Sequence, residues 1–380
     1  MVDLPMSEDY DFDAAIVHHS RVCEINLRYL TSSQLQRLAL AMQEQFPALI
    51  HLMLGLADNY SRPAPALPDE FIRSTPLLQS LRLHSIPFPA LPKLLLSATH
   101  LVYLALVGIP DTGYISPEAI VTGLAVLVNL KSLTIEFESP LSRPHRENRR
   151  PPPPTRIILP ALSRFEFQGV SEYLEDLVVR IDAPLLDSIW ITFFHQLIFD
   201  IPHLAQFSRR TTSFGALNEA HVDFGYSSVQ IESLSPTRTF DEKSRLGISC
   251  RELDWQLSSL AQVFTSIFPS IHMVEHLYIK GPRYLPSQRQ NDIEDVQWLE
   301  FFHPFSAVKN LYVSKEFAQC ISSALQNLVG ERVTGLLPAL ETLFLEELQP
   351  LGPAQEAIWH FVAARQLLGH PVAVSRWNVT

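Results

Sequence analysis

One arrangement of apolar positions recurs along the chain: an apolar residue, two others, a second apolar residue, one other, and a third. It stands at Leu49/Leu52/Leu54, Leu78/Leu81/Leu83, Leu101/Leu104/Leu106, Leu130/Leu133/Ile135, Leu162/Phe165/Phe167 and Leu186/Ile189/Ile191. It continues at Leu217/Ala220/Val222, Val274/Leu277/Ile279, Val308/Leu311/Val313 and Leu340/Leu343/Leu345, with an early copy at Val22/Ile25/Leu27. Lys243–Ile248 and Pro371–Val374 read as degraded copies. The last two apolar positions are two apart, so both side chains project from one side of a short strand. A single copy leaves that side in water, whereas stacked neighbours bury it. One such phrase is found in many ordinary cores; a series of them defines a repeat. Successive copies lie about 23 to 34 residues apart, looser than the usual period of leucine-rich repeats.

Between the phrases the apolar period lengthens to that of helices. Thr31–Phe46 places Leu35, Leu38, Met42 and Phe46 on one face, with Thr31 or Ser32 as N-cap. Ser116, Pro117 and Glu118 form a helix start, with a cap, a first-turn proline and an early acid. Ser171–Ile181, Trp255–Phe268 and Ser314–Val329 follow the same rule, and Pro353–Leu368 stops at Gly369. Strand, turn, helix and loop in repetition predict an α/β fold. The form expected is a leucine-rich-repeat solenoid, a horseshoe with parallel strands on the concave face, helices outside and irregular repeats. An acidic, poorly ordered segment is expected at 1–20 and a single repeat domain at 21–380.

Three stretches break the pattern. Ser139–Thr155 holds Arg143, His145, Arg146, Arg149 and Arg150 before four prolines, Pro151–Pro154, and is expected to form a solvated Pro/Arg-rich loop at 139–155. A ligand for an SH3- or WW-type module, or a nuclear import patch, is the competing reading. Tyr226–Ser244 and Gly281–Asp292 are polar and irregular, and read as loops.

Composition narrows the function classes. Hydrophobic residues make up 47% and charged residues 18%, enough apolar material for a continuous core. The formal net charge of -11 repels phosphate backbones, so no nucleic-acid partner is expected. The 3 cysteines, Cys23, Cys250 and Cys320, are far apart and form no metal or disulfide pattern, so buried reduced thiols are expected. The N-terminus lacks a secretory pattern and no stretch is apolar enough to span a bilayer, which points to no membrane and a cytoplasmic or nuclear location. No phosphate-binding glycine loop, nucleophile elbow or zinc-protease helix occurs. Asp9, Asp11 and Asp13 alternate as in a calcium loop, but Ala14 and Ser20 stand where glycine and the bidentate acid are required. The pair His18–His19 reads as solvated surface. No catalytic residue, cofactor or metal is expected, and the chain is read as a non-enzyme.

What remains is the strand face turned away from the core. Residues between the paired apolar positions run Asn26, Met53, Arg82, Ala105, Thr134, Glu166, Trp190, His221, Tyr278, Tyr312 and Phe344, with Arg164, Glu219, His276, Asn310 and Thr342 alongside. Arg82, Arg164, Glu166, Trp190, His221, Tyr278, Tyr312 and Phe344 are the candidate contacts for protein targets on the concave face. Two readings stand open for the aromatic half: it binds a partner, or the C-terminal tail or a long loop covers it.

The running text also resembles a family: fungal F-box proteins with a degenerate leucine-rich-repeat C-terminal region. The resemblance lies in Arg21–Leu27, Pro87–Ala98, Gly113–Ala119, Arg149–Thr155, Gly169–Pro184, Asp254–Val263 and Val362–Trp377. It implies the substrate-recognition part of an SCF-type ubiquitin ligase receptor, with catalysis by other subunits. In that family an F-box lies upstream and docks a Skp-type adaptor. Here the repeats begin near Val22, leaving no room for it, and an adaptor is expected only if an F-box exists upstream. Leu67–Ile72 resembles an F-box opening, but the phrase at Leu78 follows at once, so the outer segment of a repeat is the expected reading. The alternative is a free-standing scaffold or inhibitor unconnected to ubiquitin.

Overall fold

The computed structural model describes residues 19–43, 46–57, 65–68, 71, 76–140, 156–196, 198–211, 218–234, 244–249, 253–268, 270–281, 294–328, 330, 332–346 and 352–377. The Asp9/Asp11/Asp13 alternation, His18, Cys250, and most of the Pro/Arg-rich stretch and of Gly281–Asp292 lie outside these residues. The chain divides into two compact units, Met1–Leu186 with Arg210–Thr212, and Asp187–Arg209 with Ser213–Thr380. Both are mixed α/β, with a mostly parallel sheet and helices.

In the first unit the strands are β1 (Glu24–Leu30), β2 (His51–Leu56), β3 (Ser80–His84), β4 (Tyr103–Ile109), β5 (Ser132–Phe137), β6 (Ile157–Ile158), β7 (Arg164–Gly169) and β8 (Ile181–Asp182). Strands β1 to β5 and β7 pair in parallel in chain order, and β6 pairs with β8. The first apolar residue of the phrase is buried just ahead of the strand at Leu49, Leu78, Leu101, Leu130 and Leu162, and half-buried at Val22. That turn is stitched from copy to copy by the backbone. Ile50 N–H donates to Cys23 O at 2.8 Å, Gln79 to Ile50 at 2.9 Å, Val102 to Gln79 at 2.8 Å, Lys131 to Val102 at 2.8 Å and Ser163 to Lys131 at 2.9 Å. The stitching satisfies polar groups that burial would otherwise strand, while each buried Leu contributes about 1.5–3 kcal/mol relative to exposure.

Helices α1 (Ser32–Ala41), α2 (Leu91–Ser97), α3 (Pro117–Leu124) and α4 (Ser171–Val178) return the chain between strands. Thr31 caps α1 in a reciprocal box with Gln34, and Ser116 Oγ accepts the Ala119 N–H at the start of α3. Helices α2, α3 and α4 pack side by side, and Tyr173 of α4 meets Phe137 of β5 at 4.7 Å and Phe167 of β7 at 6.0 Å. The face carrying Leu133, Ile135, Phe137, Phe165 and Phe167 is therefore the helix-covered one. Gly108, at the irregularity near the end of β4, takes φ +62°, where an added Cβ would also stand 3.0 Å from Ser85 Oγ.

In the second unit the strands are β9 (Ser188–Phe194), β10 (Glu219–Phe224), β11 (Ser228–Leu234), β12 (Ser244–Ser249), β13 (His276–Lys280), β14 (Asn310–Val313), β15 (Thr342–Leu345) and β16 (Ala373–Arg376). Their spatial order is β9-β12-β11-β10-β13-β14-β15-β16, antiparallel at β12-β11-β10 and parallel elsewhere. The loop expected at Tyr226–Ser244 is thus corrected: Ser228–Leu234 is a strand. Val229 and Ile231 are buried there between polar neighbours, the alternation of a half-buried strand, and polarity outweighed that alternation in the sequence. The turn closes where Gly225 N–H donates to Ser228 O at 2.6 Å. The degraded copy near Lys243–Ile248 becomes β12.

The helices here are α5 (Pro202–Arg210), α6 (Leu253–Ile267), α7 (Asp295–Phe302), α8 (Lys315–Gln326), α9 (Arg332–Gly335) and α10 (Pro353–Leu367). Phe224 of β10 packs on Phe317 of α8 at 4.9 Å and on Trp298 of α7 at 5.9 Å, so helices again cover the apolar face. Gly369 takes φ +82° after α10, the C-cap its position predicts. Helices α2, α5, α7 and α9 are not among those the sequence predicts. All have at most nine residues, and the equally short α3 carries the start signal Ser116, Pro117 and Glu118 that they lack.

Arg365 of α10 is 0% exposed. Its Nη1 donates to Val333, Leu336 and Leu337 carbonyls at 3.1, 3.3 and 3.2 Å, its Nη2 to Pro338 and Leu340 at 3.3 and 3.5 Å, and its Nε to His370 O at 3.3 Å. The planar guanidinium offers five donors in a fixed fork, and here it caps carbonyls around α9 and the approach to β15. It ties the same helix to the residues that enter β16.

Candidate functional site: the helix-free sheet faces

Side chains alternate along a strand, so the residue between two buried ones points away from the helices. In the first unit the register aligns Asn26, Met53, Arg82, Ala105, Thr134 and Glu166. The residues are small, polar or flexible, and a hydrogen bond joins two of them, Thr134 and Glu166. Thr134 Oγ1 donates to Glu166 Oε2 at 3.2 Å, and Arg164 Nε donates to Glu166 Oε1 at 2.7 Å. Two residues on from Thr134, the Glu136 carboxyl is pushed up by burial and then by the Glu166 charge, against the pull of Arg82. One row before the column, Tyr103 is 52% exposed between Ser80 and Ser132. It precedes Leu104 as Arg164 precedes Phe165, a signal present in the sequence that the column of central residues omits.

In the second unit the aligned residues are Trp190, Arg245, Glu232, His221, Tyr278, Tyr312, Phe344 and Ser375. Neighbouring strands lie about 4.7–4.9 Å apart, close to the spacing of stacked rings. Aromatic side chains at one register position of adjacent strands therefore stack on one another. His221 and Tyr278 have ring centroids 4.2 Å apart, Tyr278 and Tyr312 4.1 Å, and Tyr312 and Phe344 4.4 Å, each pair stacked. The ladder buries its ring faces internally, so Tyr278, Tyr312 and Phe344 are half-buried and offer edges and hydroxyls. Burial and a hydrogen bond with Tyr312 hold the Tyr278 phenol well above its ordinary range.

The other end of the column is charged. Arg245 lies 4.7 Å over the Trp190 ring and pairs with Glu232. His221 Nε2 stands 3.5 Å from Glu219 Oε2, yet burial, with Lys280 nearby, lowers the imidazole pKa. Asp223, across from Lys280, is raised by burial. A row earlier, Asn310 Nδ2 stands 3.2 Å from His276 Nδ1.

Of the sequence-derived candidates, the structure brings His221, Tyr278, Tyr312 and Phe344 into one stack in the second unit. Trp190 belongs to the same face, but β12 and β11 separate it from His221 and fill the interval with Arg245 and Glu232. Those two are legible only once the hairpin is known. Arg82, Arg164 and Glu166 lie on the first unit's face. Trp377, just beyond β16, meets Tyr312 edge-on at 5.7 Å and Tyr278 at 6.0 Å. The C-terminal segment thus reaches two of the rings.

Against expectation, neither described thiol is fully buried. Cys23 is exposed just ahead of β1, and Cys320 is half-buried, where desolvation pushes its pKa up to about 11. Among the described residues, no group of three or more His, Cys, Asp and Glu side chains is placed to hold a metal ion. Among them, too, no helix is long and apolar enough to cross a membrane.

No family model and no curated protein matches the chain. Among solved structures it is similar to an LRR protein of Leptospira interrogans, at 12% identity over 98% of this chain and 100% of that one. The TM-score is 0.23, and a likeness of that degree carries no weight for fold or function.

Proposed function

We propose that the chain is a protein-interaction module, a leucine-rich-repeat solenoid with parallel strands on its concave face, helices outside and no catalytic apparatus of its own. The observation that supports this best is the in-register ladder His221–Tyr278–Tyr312–Phe344 on the helix-free side of its sheet. Aromatic anchors with a rim of Glu219, His276, Asn310 and Thr342 have the composition of a protein interface: apolar centre, polar border. The partner is a protein, since the net charge of -11 repels nucleic acid.

Within that role we read the chain as the substrate-recognition part of an F-box-type SCF receptor in the cytoplasm or nucleus, with ubiquitin transfer by other subunits. This finer reading is supported by the family phrases from Arg21–Leu27 to Val362–Trp377. The test is affinity capture from native extract with three baits: this chain, a form extended by any upstream exon, and the Trp190→Ala/Tyr278→Ala/Tyr312→Ala variant. A Skp-type adaptor recovered with either natural form supports the ligase reading. A reproducible partner without adaptor, lost on the triple substitution, makes the chain a free-standing scaffold or inhibitor. Partners that survive the triple substitution overturn the proposed surface, and a compact profile in solution scattering overturns the solenoid.

A further inference from the structure

The aromatic ladder already carries one guest, supplied by the chain itself. Ser375 pairs with Phe344 in register, so β16 adds no ring to the column. Two residues on, Trp377 leaves the strand on the same side, anchored by its N–H to Leu345 O at 2.7 Å. Its indole crosses back over the column to stand edge-on to Tyr312 at 5.7 Å, 66° between planes, and tilted to Tyr278 at 6.0 Å, 57°. The ring therefore rests on the exposed edges that self-stacking leaves to the two tyrosines. Edge-to-face contact is the favoured way to meet a stack whose faces are taken, because the ring quadrupole sets an electropositive rim against an electron-rich face. Trp377 itself remains half-exposed.

We infer that Trp377 is a tethered lid on the Tyr278–Tyr312 pair, holding the place that an aromatic side chain of a partner's extended segment takes on binding. The inference rests on the reading of this face as an interaction surface and adds the kind of partner it accepts. The segment that delivers Trp377 is itself extended, which shows the chain geometry able to set an indole there. Two ring contacts and one backbone hydrogen bond near a strand end are few enough to be exchanged. A partner's aromatic side chain must displace the lid, so its apparent affinity falls by the fraction of molecules that stand open.

The probe is N-acetyl-tryptophanamide, followed by saturation-transfer NMR on the full chain, Trp377→Ala, Trp377→Phe, Tyr312→Ala and Trp377→Ala/Tyr312→Ala. Each is first checked for an unchanged circular dichroism spectrum. Trp377→Ala is expected to bind the probe about tenfold more tightly than the full chain, the scale of a coupling between weak contacts. Trp377→Phe, which keeps a ring in place, is expected to resemble the full chain, and the double variant to lose the probe. In the full chain labelled with 5-fluorotryptophan, saturating probe is expected to move the resonance that Trp377→Phe removes. Equal affinity of the full chain and Trp377→Ala, with Tyr312→Ala still abolishing binding, overturns the lid and leaves the surface intact. Probe binding indifferent to Tyr312→Ala overturns the surface and the lid together, and no binding to Trp377→Ala overturns the inference outright.

Discussion

The two units apply one repeat rule and end with different surfaces. In the first, parallel strands follow one another in chain order, and the column holds Asn26, Met53, Arg82, Ala105, Thr134 and Glu166. Two of them, Thr134 and Glu166, hydrogen-bond with each other, Glu166 also with Arg164, and Tyr103 is exposed beside the column. In the second, a hairpin enters between β9 and β10, and the column becomes Trp190–Arg245–Glu232 at one end and a four-ring stack at the other. Strand spacing explains the contrast. Polar side chains a strand apart meet through single hydrogen bonds, as Thr134 and Glu166 do, while rings at that spacing stack face to face. An aromatic column on a parallel sheet therefore turns its inner ring faces to one another and presents edges.

The comparison is broken most severely at Arg365. Arg365→Met leaves several buried carbonyls without donors and is expected to destabilise the second unit by about 3–5 kcal/mol. Denaturant titration measures the loss, and hydrogen exchange is expected to accelerate more in β15 and β16 than in β2–β5. Next comes a matched pair of column substitutions. Tyr312→Ala removes two stacked neighbours and is expected to cost about 1–3 kcal/mol. Thr134→Val, at the corresponding place in the first unit, removes a single hydrogen bond worth about 0.5–1.5 kcal/mol. Equal losses in thermal unfolding would erase the distinction between a self-supporting ladder and a set of local pairs.

Smaller still is Arg245→Ala, expected to cost about 0.5–2 kcal/mol by removing the cation over Trp190 and the pair with Glu232. The accompanying change in Trp190 emission separates this from a global effect. The smallest effect concerns protons. Burial lowers the His221 pKa, with Lys280 adding to the shift while Glu219 and Asp223 oppose it. The unfolded chain takes up that proton near pH 6.5, whereas the folded chain resists until a lower pH. Acidification through this window therefore favours the unfolded state. Thermal stability is expected to fall less between pH 7 and the folded pKa in His221→Gln than in the native chain, and an unchanged profile would remove His221 from the account.

Much of this was written in the order of side chains. The three apolar positions of each phrase, the caps at Thr31 and Ser116, and the stop at Gly369 follow from local chemistry: a period, an acceptor for free N–H groups, a residue that tolerates positive φ. The candidates Tyr278, Tyr312 and Phe344 were legible for the same reason, since a fixed offset from buried residues determines which face they share. Short helices such as α2 and α7 lacked the Ser-Pro-Glu start that made the equally short α3 legible, and β11 was masked by its own polar residues.

What the sequence by itself determined is the repeated strand phrase, the helix-covered core it demands and the identity of the aromatic column in the second half. Only tertiary structure decided that Arg245 and Glu232 stand between Trp190 and His221, that the rings close into a ladder, and that Trp377 lies across it. The first set depends on periods within a few residues of chain. The second depends on which strands become neighbours and in what register, and that is settled by hydrogen bonds between segments tens of residues apart.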